Sequence, residues 1–160
     1  MSPQIPDSAY QAALDEAGRQ LSYRGLSAQA LRDKLAQKGH SEEAADFVVA
    51  YLTERGLLDD ARFAQAAAHS YQRRGYGAAR IRQELRRRGV SREDADAALA
   101  DFTADLDTLQ ALLDKKLHGD LSDPKQIQRA IAFLQRRGFG WAEIRAALQA
   151  YGAARTDEPD

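Results

Sequence analysis

The chain of 160 residues contains no cysteine. That excludes a disulfide framework and any cysteine-ligated zinc or iron–sulfur site, and it suits a reducing compartment. Strand formers are scarce beside Ala, Leu, Arg, Gln and Glu, a balance that predicts an all-helical protein. No apolar run approaches the roughly 20 residues needed to cross a bilayer, and the opening MSPQIPDSAY lacks the basic and apolar regions of a secretory signal. A cytoplasmic protein with no membrane association is therefore expected. The histidines, His40, His69 and His118, lack ligand spacing to carboxylates. Neither a nucleophile–base pairing nor a glycine-rich phosphate loop is present. The expectation is a protein that is not an enzyme and needs no cofactor or metal.

What is present is arginine, unevenly placed. Residues 1–60 carry six Lys/Arg against ten Asp/Glu, and residues 101–160 carry eight against ten. Residues 61–100 carry nine against four, although the whole chain has a formal charge of −1. Between Gln72 and Arg92 there are eight arginines and one acid, Glu84. Such asymmetry predicts a face that meets phosphate or an acidic protein.

The arginines lie within a repeated frame. Aligned on Gly25, Gly75 and Gly138, an arginine precedes each glycine (Arg24, Arg74, Arg137), and an aliphatic follows six residues later (Leu31, Ile81, Ile144). Arginine comes next (Arg32, Arg82, Arg145), then leucine four beyond the aliphatic (Leu35, Leu85, Leu148) and glycine eight beyond it (Gly39, Gly89, Gly152). Aliphatics four apart share one helical face, and the closing glycine suits a helix C-terminus. The opening Arg-Gly ends the preceding helix and turns Leu26, Tyr76 or Phe139 under the corner. Ser27 is suited to cap the first of these middle helices, and Gly77 and Gly140 cap the others less strongly.

Each frame predicts a helical triplet. In the first, helices over 8–23 and 41–55 flank the middle one, with Ser41 as N-cap and Phe47, Val48, Tyr51 and Leu52 facing inward. The second runs 60–73, 77–88 and 91–102, with Ser91 and Asp94 at capping-box spacing and Asp60 placed to cap its first helix. The third has a helix near 105–117, a break at His118-Gly119-Asp120 and a helix opened by Asp123-Pro124. Its frame then closes at Gly152, with the last helix missing or vestigial. The predicted fold is all-α, a tandem array of three three-helix, helix-turn-helix-like repeats, elongated and slightly curved. Its expected boundaries are 8–58, 59–103 (the basic repeat) and 104–152, the last incomplete or irregular, with flexible termini at 1–7 and 153–160.

With Ile81 at the centre of the inward face of the second middle helix, Ala78 and Leu85 lie beside it. Arg80, Gln83 and Arg87 then point away, with Arg82 and Arg86 flanking. An outward strip of guanidinium groups reads phosphate or carboxylate; the alternative is a solvated face bridging to Glu84, Glu93, Asp94 and Asp96. The density of arginine favours a binding face made of Arg73, Arg74, Arg80, Arg82, Gln83, Arg86, Arg87 and Arg88. Arg136, Arg137, Trp141 and Arg145 are secondary candidates. The Arg73/Arg74 and Arg136/Arg137 pairs also complement the helix dipole where they end a helix. Tyr76, Phe139 and Trp141 offer stacking faces, although packing is expected for all three: Tyr76 and Phe139 share the slot of Leu26, and Trp141, in the slot of Ala28 and Ala78, is the one placed nearest to solvent.

The segments ERGLLDDARFAQAAAHSYQRRGYGAARIRQELRRRGV and FLQRRGFGWAEIRAAL resemble the RecX regulatory proteins of bacteria, and the resemblance spans residues 10–151. It implies direct binding to the recombinase RecA, occupation of the groove of the RecA–DNA filament, and inhibition of filament growth, strand exchange, ATP hydrolysis and repressor cleavage. MSPQIPDSAY departs from the family in carrying no basic extension. The implied partners are RecA and its filament; a weak direct DNA contact is left open, no membrane partner is expected, and a monomer is expected. Two other readings remain open: a salt-sensitive DNA-binding module that uses the arginine-rich helix, and a plain helical scaffold.

Overall fold

The structure, a computed structural model, describes residues 7–156; the termini expected to be flexible lie outside the described residues at 1–6 and 157–160. Among the described residues all regular structure is helical. The elements are α1 (Asp7–Tyr23), α2 (Ala28–Gln37), α3 (Glu42–Glu54), α4 (Asp60–Arg73), α5 (Ala78–Arg87), α6 (Arg92–Leu99), α7 (Leu106–Leu117), α8 (Pro124–Arg136) and α9 (Trp141–Thr156). They divide between two compact units: residues 1–67 with 85–97, and residues 68–84 with 98–160. The chain passes from one unit to the other inside α4, again inside α5 and a third time inside α6.

In the first unit α1, α2 and α3 enclose Ala13, Ala17, Leu31, Leu35, Val48 and Leu52. Leu31 and Leu35 are fully buried, as the four-residue spacing requires, and each contributes about 1.5–3 kcal/mol by leaving water. The expectation for Phe47 is corrected: it is about half exposed, while Ala45 and Val49 fill the inward positions of α3. Phe47 instead meets the edge of Tyr10 at 4.0 Å. Ser27 and Ser41 cap α2 and α3 as expected, accepting from the amides of Ala30 and Ala44. Asp60, expected to cap α4, does something else. Asp59 caps that helix by accepting from the Arg62 amide at 3.1 Å, and Asp60 accepts from the Ala28 amide at 2.8 Å. The first turn of α2 therefore has two side-chain acceptors for amides that a helix start leaves unpaired. Ser27, fully buried, also donates its hydroxyl to the Arg88 carbonyl, so the α2 N-terminus docks on the turn that closes α5.

In the second unit α7, α8 and α9 bury Leu109, Leu113, Leu134, Phe139, Ile144 and Ala147. Asp123 caps α8 by accepting from the Lys125 amide at 2.9 Å, and Pro124 stands in the first turn. The break after α7 is left-handed, with φ +48° at His118 and +83° at Gly119. Gly152 does not end α9, and residues 153–156, expected to be flexible, are helical. Gly39 and Gly89 are each followed two residues on by a serine cap, whereas Gly152 leads into Ala-Ala-Arg, which continues a helix. The buried Tyr151 hydroxyl holds this extra length: it donates to Asp114 and accepts from the Gly119 amide, both at 2.8 Å.

The two Arg-Gly-aromatic-Gly corners meet inside this unit. At Gly75 and Gly138, with φ +85° and +97°, α4 and α8 end in the same double hydrogen bond: Tyr76 N–H to Tyr71 and Gly75 N–H to Gln72, then Phe139 N–H to Leu134 and Gly138 N–H to Gln135. The Gly77 amide donates to the Arg137 carbonyl at 2.7 Å, and the Ala79 amide to the Gly138 carbonyl at 3.2 Å. Gly77 is glycine for closeness rather than for capping, since a Cβ there would stand 2.5 Å from the Gly138 carbonyl. A Cβ on Gly138 would strike the backbone nitrogen and Cβ of Arg80. At Gly25 neither constraint acts. It lacks positive φ, and the nearest atom to its would-be Cβ is a Phe63 ring carbon at 3.8 Å.

Gly77→Ala is expected to destabilise the protein by about 1–3 kcal/mol through overpacking, and Gly138→Ala by more, because left-handed strain adds to the clash. Gly18→Ala, in mid-α1 with nothing within 4 Å, should instead stabilise by about 0.5–1 kcal/mol. Urea unfolding of the three variants checks this order. A second expectation concerns Glu16, buried on α1, whose carboxyl is held below its ordinary value by the Arg19 side chain bonding to it at 2.6 Å. A depressed carboxyl contributes stability that is complete above its ordinary value and lost as pH falls through the folded one. Glu16→Gln should therefore lower the melting temperature at neutral pH, and the difference from wild type should close in strong acid.

Candidate functional site

The sequence places eight residues on the principal candidate face, and the structure separates them into two groups. Gln83, Arg86, Arg87 and Arg88 are exposed, on or just beyond the last two turns of α5. Guanidinium groups there also complement the helix C-terminus. Arg73, in the last turn of α4, is exposed as well. Arg82 is half-buried and lines a cavity of about 450 Å³ with Leu99, Phe102, Leu106, Leu109 and Glu143.

Arg80 departs from the expectation that it points away. It is half-buried, with Nε 3.2 Å from Glu84 one turn on and the guanidinium 5.7 Å from the centre of the Tyr76 ring. The cause is the corner: α5 begins against Gly138, so the first turn of its polar face is covered. Arg74 and Arg137 converge on the same ring, at 5.5 and 4.7 Å, and Arg137 donates Nη1–H to the Arg74 carbonyl at 3.0 Å. Tyr76 is half-buried and meets Tyr71 edge-on at 5.8 Å. The arginines of the two corners, 63 residues apart in sequence, thus share one aromatic ring.

Of the secondary candidates, Arg136 and Arg145 are exposed and Arg137 is half-buried, while the packing expected of Trp141 is corrected: at the first position of α9 it is 53% exposed. Phe139 packs in the core as expected. Gly140 receives help that spacing did not suggest: the Glu143 carboxylate accepts from its amide at 3.2 Å, as the third helical residue does in a capping box. Among the described residues no group of histidines and acids is arranged to hold a metal, and no helix is long and apolar enough to cross a membrane.

Family models match three successive segments, described as the first, second and third three-helix domains of RecX, over residues 9–52, 59–99 and 103–148. The chain belongs to the RecX family. A protein named Regulatory protein RecX from Halorhodospira halophila is 38% identical over 155 residues, spanning 96% of this chain and 93% of that one. Regulatory protein RecX from Vibrio cholerae is 40% identical over 132 residues, 81% of this chain and 87% of the relative. The RecX crystal structure from Lactobacillus salivarius superposes with a TM-score of 0.84 at 18% identity, covering 92% of this chain and 99% of that one. That likeness establishes the fold. The relatives bear the name of regulatory proteins, and within the RecX frame this chain has exposed arginines at the end of α5 and, at the corner, the half-buried Arg80 and Arg137 beside the exposed Arg74.

Arg80→Ala is expected to lower the thermal midpoint by several degrees, since about 1 kcal/mol moves a domain of this size by about 2–4 °C. Arg86→Ala should leave the midpoint within about 0.5 kcal/mol of wild type. Differential scanning calorimetry of the two variants separates the enclosed arginine from the exposed one.

Proposed function

We propose that this chain is a non-catalytic regulator that binds the RecA recombinase and its DNA filament. In this role it inhibits ATP hydrolysis, strand exchange and coprotease activity, and so modulates DNA repair, recombination and the SOS response in the cytoplasm. The observation that carries this reading is the run of exposed side chains Gln83, Arg86, Arg87 and Arg88 at the C-terminal end of α5, in a chain of the RecX family. The resemblance to RecX regulatory proteins implies the partner; the arginines supply the chemistry. Guanidinium forks bind carboxylate or phosphate bidentately, and arginine is among the residues that most often dominate the energy of a protein interface. Seated in the filament groove as a monomer, such a helix holds RecA subunits apart without making or breaking a covalent bond. Inhibition then follows from occupancy, which needs neither nucleophile nor cofactor.

The test is RecA ATP hydrolysis on single-stranded DNA, titrated with wild type and with the Arg86→Ala/Arg87→Ala/Arg88→Ala triple variant. Wild type should inhibit, and the variant should need about tenfold more protein or above for half inhibition, the equivalent of about 1.4 kcal/mol of binding, with its helical circular dichroism unchanged. Equal inhibition by both proteins would remove α5 from the interface. Absence of inhibition by wild type, together with a steeply salt-dependent affinity for bare DNA, would replace the regulator by a DNA-binding module.

A further inference from the structure

The arrangement around Tyr76 reaches beyond the α5 strip. Three guanidinium groups, those of Arg74, Arg80 and Arg137, stand 5.5, 5.7 and 4.7 Å from one ring centre. They are forced there by backbone, because the Gly77 and Ala79 amides bond to the Arg137 and Gly138 carbonyls. The ring attracts each cation, but the cations repel one another. Among the described residues the one ion pair within the group is that of Arg80 with Glu84. An arginine has five N–H donors. Arg137 places one on the Arg74 carbonyl, and the Nε of Arg80 is enclosed 3.2 Å from the Glu84 carboxylate, paired with it by charge rather than by a hydrogen bond. Arg74 itself is exposed and touches the group through the Tyr71 and Tyr76 rings. Donors and positive charge therefore both exceed what the fold uses.

We infer that the double corner Arg74–Tyr76–Arg80–Arg137 is a second contact site, which receives a short acidic segment of the partner protein, with a carboxylate on Arg74 and Arg137 and apolar contact on Tyr76. The surrounding charge selects a short segment over a long polyanion. The residues of this unit carry twelve Lys/Arg against eleven Asp/Glu, so the cluster is a local positive spot in a near-neutral setting. A nucleic-acid backbone is held by a basic track that follows it over several nucleotides. The site deepens the regulator reading, on which it relies for the identity of the partner alone.

Three full-length proteins test it: wild type, Arg74→Glu, and Arg129→Glu as a charge-matched control on the exposed face of α8. Each is titrated against a fluorescein-labelled oligoglutamate peptide and against a labelled oligothymidylate at equal salt, followed by anisotropy, and each is assayed for inhibition of the RecA ATPase. The expected result is peptide binding weakened at least tenfold by Arg74→Glu and little changed by Arg129→Glu, with the same ranking in RecA inhibition. Equal weakening by both variants would reduce the effect to overall charge and overturn the inference. Loss of oligothymidylate affinity with peptide affinity preserved would overturn it in favour of nucleic acid. If wild type binds the peptide through Arg74 yet leaves RecA unaffected, the acidic-segment site stands and the filament reading falls. Should Arg74→Glu fail to fold, Arg74→Gln carries the same comparison, with a smaller loss expected and an unchanged affinity overturning the inference.

Discussion

An amide of one corner bonded to a carbonyl of another, Gly77 to Arg137 at 2.7 Å, governs much of the second unit. The bond forms because neither glycine interposes a side chain, and because Gly75 and Gly138 occupy left-handed conformations that most residues avoid. From it follow the burial of Phe139, the partial covering of Arg80 and the gathering of arginines round Tyr76. Removing the closeness would loosen all three. The first unit solves the equivalent problem with a side chain: Ser27 caps α2 and also donates to the Arg88 carbonyl. A residue without a Cβ and a residue with a hydroxyl thus reach the same end, a helix N-terminus seated on a neighbouring turn.

The functional chemistry divides along the same line. Where α5 starts, its arginine is committed to the corner; where it ends, its arginines face solvent. A guanidinium confined between a carboxylate and a ring contributes to stability, and one exposed at a helix terminus contributes little there. Exposure and confinement thus occur on one ten-residue helix.

Much of the fold was legible because its signals are local. Leu31 and Leu35, Ile81 and Leu85, the caps Ser27, Ser41 and Asp123, and the left-handed Gly39 and Gly89 all follow from neighbours within one or two turns. What escaped was non-local. Nothing within a few residues of Asp60 reveals that its carboxylate serves α2 rather than α4, since the partner amide lies 32 positions away. Arg80 sits on the outward arc of a helical wheel, and only the approach of Gly138 encloses it. The Arg73/Arg74 and Arg136/Arg137 pairs, taken one at a time, look like two dipole-complementing helix ends. Gly77 and Gly140 both recur where the first repeat has Ser27, yet only Gly77 marks a close approach, since a Cβ on Gly140 would meet nothing nearer than the Glu143 carboxylate at 3.4 Å.

The repeats are contiguous in sequence, but the compact units are not. One unit takes residues 85–97 from the middle of the chain and the other takes 68–84. A gene encoding beads on a string tolerates loss or duplication of a bead, because each exchange falls in a linker. Here deletion of the middle repeat would remove material from both bodies at once, and all three crossings between them lie inside helices.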